Sequence, residues 1–293
     1  MAKNYSLLES KVLSFFPIGS HFNWNNNIYT VLVSGKPKVA TGKGEPKTDC
    51  YIKAINQNNQ EEIELKISCK LKDSNEFQEN KISASRAEEI LGPNWRSIII
   101  NTSTKIKNLF ENHPNLNNPK GTSRNKLGHI ILGWKLEIAN KPRSLSAKLT
   151  LSDQDIRDYI YKGTNLEDRK RNAKVNNQVI ENSGIANYIL ITESKDIKNK
   201  DDVLNQIETI DNHQIKEHYL IFTSNGYMIK RNTTDGNRFL AVRVEWQADL
   251  QSNELIPNIK YNSPLESPSR SKDMKKMADE AMLKISNYKT RYI

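Results

Sequence analysis

Gly42-Lys-Gly-Glu-Pro-Lys-Thr-Asp49 and, fifteen positions further on, Glu64-Leu-Lys66 are the stretches whose reading decides the fold. Asp49 opens a run rich in strand formers, Asp-Cys-Tyr-Ile-Lys-Ala-Ile55. The run at 62–70 alternates. Glu62, Glu64, Lys66, Ser68 and Lys70 fall on one face, and Ile63, Leu65, Ile67 and Cys69 on the other. Asn56-Gln-Asn-Asn-Gln60 between them is a polar turn. The two runs read as a hairpin, and the hairpin is expected to bring Asp49 close to Glu64 and Lys66.

Working outward, residues 3–16 read as an amphipathic helix with Leu7, Leu8, Val12, Phe15 and Phe16 near one side, stopped by Pro17 and Gly19. Residues 28–33 are a strand feeding the Gly/Lys loop at 34–45. Ser85-Arg-Ala-Glu88 resembles a capping box that opens a short helix before Gly92-Pro93. Residues 95–111 read as helix, 112–126 as loop, and 127–138 and 145–150 as strands. Ser152 caps a helix that Gly163 closes. Strands fill 188–261, with Asn225-Gly226 read as a hairpin turn. The span 272–288 is a helix with Met274, Met277, Met282 and Leu283 near one side, facing either its own chain or a dimer interface. The expected class is α/β: a mixed sheet flanked by helices with a β-rich C-terminal half. The expected boundary lies near 150, with the hairpin in a core at 1–150 and the β-rich region with its C-terminal helix at 151–293, a single domain being the alternative.

Composition narrows the functional classes. A net charge of +10 favours a polyanionic partner. No apolar run reaches the ~18 residues of a membrane helix. The N-terminus lacks the apolar core of a signal peptide, and with two cysteines, read as buried thiols, the chain reads as cytoplasmic. Two cysteines and five scattered histidines give no zinc-ligand spacing. Neither a Walker-type phosphate loop nor a Gly-x-Ser-x-Gly elbow is present.

Two carboxylates and an ammonium at one point suit divalent-metal cleavage of a phosphodiester. Pro46-Lys-Thr-Asp49 followed by Glu64-Leu-Lys66 resembles the PD-(D/E)xK nuclease superfamily, and within it the type II restriction endonucleases. Two residues separate Pro46 from Asp49, where the superfamily has them adjacent. The resemblance implies a restriction-endonuclease-like core and Mg²⁺ held by Asp49, Glu64 and the Leu65 carbonyl, with Lys66 orienting the attacking water. It also implies 5′-phosphate and 3′-hydroxyl ends, double-stranded DNA as substrate, a homodimer, and a separate methyltransferase completing a restriction-modification system. Glu9 is weighed as an additional acid against a solvated helix face. A repair or junction-resolving nuclease and a non-catalytic DNA-binding protein are the alternatives.

Lys43 and Lys47 in the loop, and Ser68 and Lys70 along the Glu64 face, are candidate phosphate contacts. Arg169, Lys170, Arg171, Asn172, Lys174, Asn176, Asn177 and Gln178 mix the side chains that read base edges in the major groove, with Asn176-Asn177 turning a β-ribbon. Lys230, Arg231 and Asn232 are a second candidate.

Overall fold

The computed structural model describes residues 2–72, 77–118 and 128–286, with side chains from Tyr5 onward. The chain is mixed α/β and divides into two compact units. The first comprises Met1–Glu76, Glu89–Gly92 and Leu151–Lys216; the second comprises Phe77–Glu88, Pro93–Thr150 and Glu217–Ile293. A single cut at 150 therefore does not describe the division. Residues 151–216 return to the first unit because the strand Tyr188–Ile191 adds in parallel to the hairpin, Ile189 beside Ser68 and Leu190 beside Cys69.

The sheet of the first unit begins with β1 (His21–Trp24), β2 (Asn27–Gly35), β3 (Cys50–Asn56) and β4 (Glu62–Lys70), each antiparallel to the last. Tyr188–Ile191 and Glu208–Thr209 extend it beyond β4. Helix α1 (Ala2–Ser14) lies on one face. Leu8 and Val12 fall four apart on its apolar stripe, continued by Phe16, and all three are fully buried. They pack with Ile52, Ala54, Leu65, Ile67 and Leu190. Each such side chain contributes roughly 1.5–3 kcal/mol by leaving water. Cys50 and Cys69 sit in this core as free thiols, with Sγ atoms 3.8 Å apart.

The Ser152 cap is present, its Oγ accepting from the Asp155 N–H at 3.1 Å, and Gly163 closes the helical segment at φ 78°. The Asn176-Asn177 turn is present too. Both residues have positive φ, and they join Lys174–Val175 to Gln178–Val179.

The second unit is built on an antiparallel sheet in the order Thr233–Thr234, Tyr219–Met228, His129–Ala139, Val242–Asp249, Glu254–Lys260. Phe110 packs edge-on against Trp134, Phe222 and Tyr261. The helix Ser271–Leu283 buries Met274, Ala278 and Met282 and packs on Val242–Asp249. Asn225-Gly226 is not a hairpin turn. It is a bulge inside the continuous strand Tyr219–Met228, where the Gly226 N–H donates to Asp235 Oδ2 at 2.8 Å. Long pairing with His129–Ala139 overrides the local turn preference. The readings for residues 119–127 and 287–288 lie outside the described residues. Among the described residues, no helix is long and apolar enough to cross a membrane.

Candidate active site

The hairpin forms, but its register does not bring Asp49 to Glu64. Cys50 pairs with Ile67, Ile52 with Leu65 and Lys53 with Glu64. Asp49 lies one step beyond the first of these pairs, and Glu64 lies four positions further along. At ~3.3 Å per residue that is on the order of 13 Å. At the Asp49 end, its N–H donates to the Ile67 carbonyl at 2.9 Å. Its Oδ2 accepts the Cys69 N–H at 2.8 Å and lies 3.4 Å from the Ser68 hydroxyl. The residues beside Asp49 are therefore Ser68, Cys69 and Lys70.

This end of the hairpin opens on a cavity of about 640 Å³. Its wall carries the carboxylates Glu9, Glu45 and Asp49, the lysines Lys36, Lys38 and Lys70, and Thr48. Glu9 comes from α1 and is buried, not on a solvated face. The Leu8–Val12 stripe turns it toward the sheet, and the Cys50 thiol donates to its main-chain carbonyl at 3.5 Å. Its Oε2 is paired with the Lys36 ammonium. Burial, with the charges of Asp49 and Glu45, pushes the Glu9 carboxyl above its usual range despite Lys36. Burial pulls Lys36 down, but Glu9, Asp49 and Glu45 outweigh it and hold the ammonium above its usual value. The Glu9 shift is chiefly one of burial, and the Lys36 shift is set by its carboxylate neighbours. Thr48 is 1 % exposed, and its Oγ1 has no hydrogen-bond partner among the described residues.

Glu64 and Lys66 form a different, closed arrangement. Glu64 accepts from the buried Tyr51 hydroxyl through Oε1 and faces the Lys66 ammonium at 3.4 Å through Oε2. The Lys66 ammonium also reaches the Asn182 carbonyl at 3.4 Å. Asn187 brackets the triplet, accepting the Lys66 N–H at 2.8 Å and donating to the Glu64 carbonyl at 3.0 Å. Burial and Glu64 together push the Tyr51 hydroxyl well above its usual pKa. Leu65 points into the core. These contacts secure the sheet where Tyr188–Ile191 joins it.

The basic segment is likewise largely spent inside the unit. Arg169 Nη1 donates to the Thr41 and Lys43 carbonyls at 2.9 and 2.6 Å. Lys170 is buried and paired with Glu89 at 2.8 Å. Arg171 donates to the Thr164 and Leu166 carbonyls, and Asn172 Oδ1 accepts the Asn182 N–H at 2.9 Å. Asn176 Nδ2 donates to the Ser34 carbonyl at 3.1 Å, and the Lys174 main chain bridges Lys38. The Lys47 and Thr48 N–H groups both reach the Gly184 carbonyl. This segment clasps the loop that carries Lys36, Lys38, Glu45 and Asp49. Gly42 and Gly44 serve the same packing: both have positive φ, and a Cβ would meet Arg169 Nη1 at 2.9 Å and Lys170 Cε at 2.7 Å. Asn177 and Gln178 remain exposed at the ribbon, and Lys43 is exposed in the loop. Lys230, Arg231 and Asn232 are exposed at the turn that follows Tyr219–Met228.

The sequence carried a signal for the missed partners. Counting outward from the Asn56–Gln60 turn places Asp49 against 67–69, which puts Ser68 and Lys70 in play instead of Glu64. Comparison with family models, curated proteins and solved structures finds no match to this chain.

Proposed function

We propose that the protein is a Mg²⁺-dependent endonuclease acting on double-stranded DNA, of the type II restriction class, with its active site at Glu9, Asp49 and Lys70. The observation that carries this reading is the cavity at the end of the hairpin, where Glu9 and Asp49 converge beside Lys36 and Lys70. The donor set suits the ion. Mg²⁺ is bound through one or two carboxylates plus waters and substrate phosphates, so it needs no third acid. Among the described residues no larger group of His, Cys, Asp and Glu assembles.

When bound, Mg²⁺ polarises the scissile phosphate and lowers the pKa of an attacking water. The chain's own residues do the rest. Glu9 and Asp49 would hold the ion, and the burial that disfavours the Glu9 carboxylate would be offset by its charge. Lys70, at the end of β4, offsets negative charge growing on phosphorus oxygens. Lys38 extends the positive wall toward the flanking backbone. The +10 charge of the chain favours association with a polyanion such as DNA. Homodimer formation and a separate protective methyltransferase belong to the same proposal.

Incubating the purified protein with plasmid DNA, with and without Mg²⁺, tests it. The expected result is Mg²⁺-dependent conversion to discrete bands. Slow nicking that depends on branched structure points to a repair nuclease, and DNA left intact with Mg²⁺ present contradicts the reading.

A further inference from the structure

We infer that Lys36 is an exchangeable counter-ion: its ammonium holds the Glu9 carboxylate until a divalent cation takes its place. The inference rests on the metal-dependent reading above and concerns how the site is kept charge-balanced and in shape before an ion binds.

The two partners differ in freedom. Glu9 is fixed: its helix is locked by buried Leu8 and Val12, its main-chain carbonyl accepts the Cys50 thiol, and its side chain is 11 % exposed. The Lys36 side chain is 49 % exposed. Its backbone, by contrast, is held on both sides. The Ser34 carbonyl accepts from Asn176, and Lys38 exchanges main-chain hydrogen bonds with Lys174 at 2.9 and 2.7 Å. A compact ammonium on a four-carbon stem, anchored at its base, leaves Glu9 by rotating about its own side-chain bonds. No backbone movement is needed.

The charge count supports exchange. With Lys36 paired to Glu9, the cavity wall holds three carboxylates against three lysines. A dication at Glu9 and Asp49 replaces that pairing and returns Lys36 to the rim, where a substrate phosphate becomes its natural partner. Lys38 lines the same cavity, and among the described residues it has no pairing with Glu9, so it serves as the internal control.

The test measures Mn²⁺ affinity by electron paramagnetic resonance, without DNA, for the wild type, Lys36→Met and Lys38→Met. Removing a competitor worth about one exposed-to-half-buried ion pair should tighten binding about three- to tenfold in Lys36→Met. Lys38→Met, which removes the same charge without releasing Glu9, should tighten it less than about twofold. Misfolding cannot produce tighter binding, so the sign of the change protects the result. Equal effects of the two substitutions, or weaker binding in Lys36→Met, overturn the exchange. If the wild type binds Mn²⁺ and cleaves DNA while Lys36→Met binds as the wild type does, the exchange fails and the endonuclease reading stands. If the wild type binds no Mn²⁺, both fail.

Discussion

The two ends of the β3–β4 hairpin carry similar residues in different states. At Glu64 and Lys66, an acid and a lysine two positions apart satisfy each other, a buried tyrosine and an asparagine that pins the next strand. At Asp49, Glu9 and Lys70, acids and lysines face a cavity, burial pushes Glu9 up, and the buried Thr48 hydroxyl lacks a partner among the described residues. A motif's residue types mark both ends equally. What separates them is satisfaction. A closed network stabilises a fold, while charged groups gathered beside space leave work for a ligand.

The largest expected effect comes from exchanging the two lysines. Lys70→Ala should lower Mg²⁺-dependent cleavage by about a hundredfold or more, as loss of a positioned charge at the reacting phosphate does. Lys66→Ala should cost stability far more than rate. Steady-state cleavage measured beside urea denaturation sharpens the contrast. Loss of cleavage in a fully folded Lys66→Ala, with Lys70→Ala active, would break it.

The clasping segment gives a second, smaller effect. Lys170→Ala breaks the buried Lys170–Glu89 pair and should destabilise the fold by about 3–5 kcal/mol. Binding to cognate and scrambled duplexes should weaken together, if at all. A selective loss of cognate binding at full stability would return this residue to base reading.

The smallest effect is an acid-dependent one at the same segment. The hydrogen bond from Arg169, then Lys170, holds the Glu167 carboxyl down to about 2. A depressed folded pKa contributes stability that is present above the ordinary unfolded value of ~4.3 and is lost as pH falls toward the folded one. Glu167→Gln should therefore lower stability by a small, constant amount above pH ~5 and flatten the stability-against-pH curve below pH ~4.5, the exposed setting keeping the effect small. An unchanged acid limb would show that this pair contributes nothing to folding.

Local patterning made much of the first unit legible. Leu8, Val12 and Phe16 announced α1, alternation announced β4, Ser152 and Gly163 bounded their helical segment, and Asn176-Asn177 turned its ribbon. What failed was non-local. Register across β3 and β4 decides which residues meet Asp49, and a match to residue types at a familiar spacing outweighed the count from the turn. The burial of Glu9 depends on how α1 docks, which periodicity places only to within a face. The Arg169–Asn176 cluster looked like a DNA reader because its side chains suit base edges. The same donors suit main-chain carbonyls, and Thr41, Lys43, Thr164, Leu166 and Ser34 claim them. Asn225-Gly226 was overridden by the strand it interrupts.

The most direct measurement compares single-turnover cleavage of one plasmid in Mg²⁺ by Glu9→Gln and Glu64→Gln, at a temperature where both are folded. Glu9→Gln should fall by about a hundredfold or more, since it removes a charge from the ion's site, and Glu64→Gln should stay within a few-fold of wild type. A Glu64→Gln enzyme that binds DNA but does not cleave it, beside an active Glu9→Gln, would contradict the account and place the chemistry at Glu64 and Lys66.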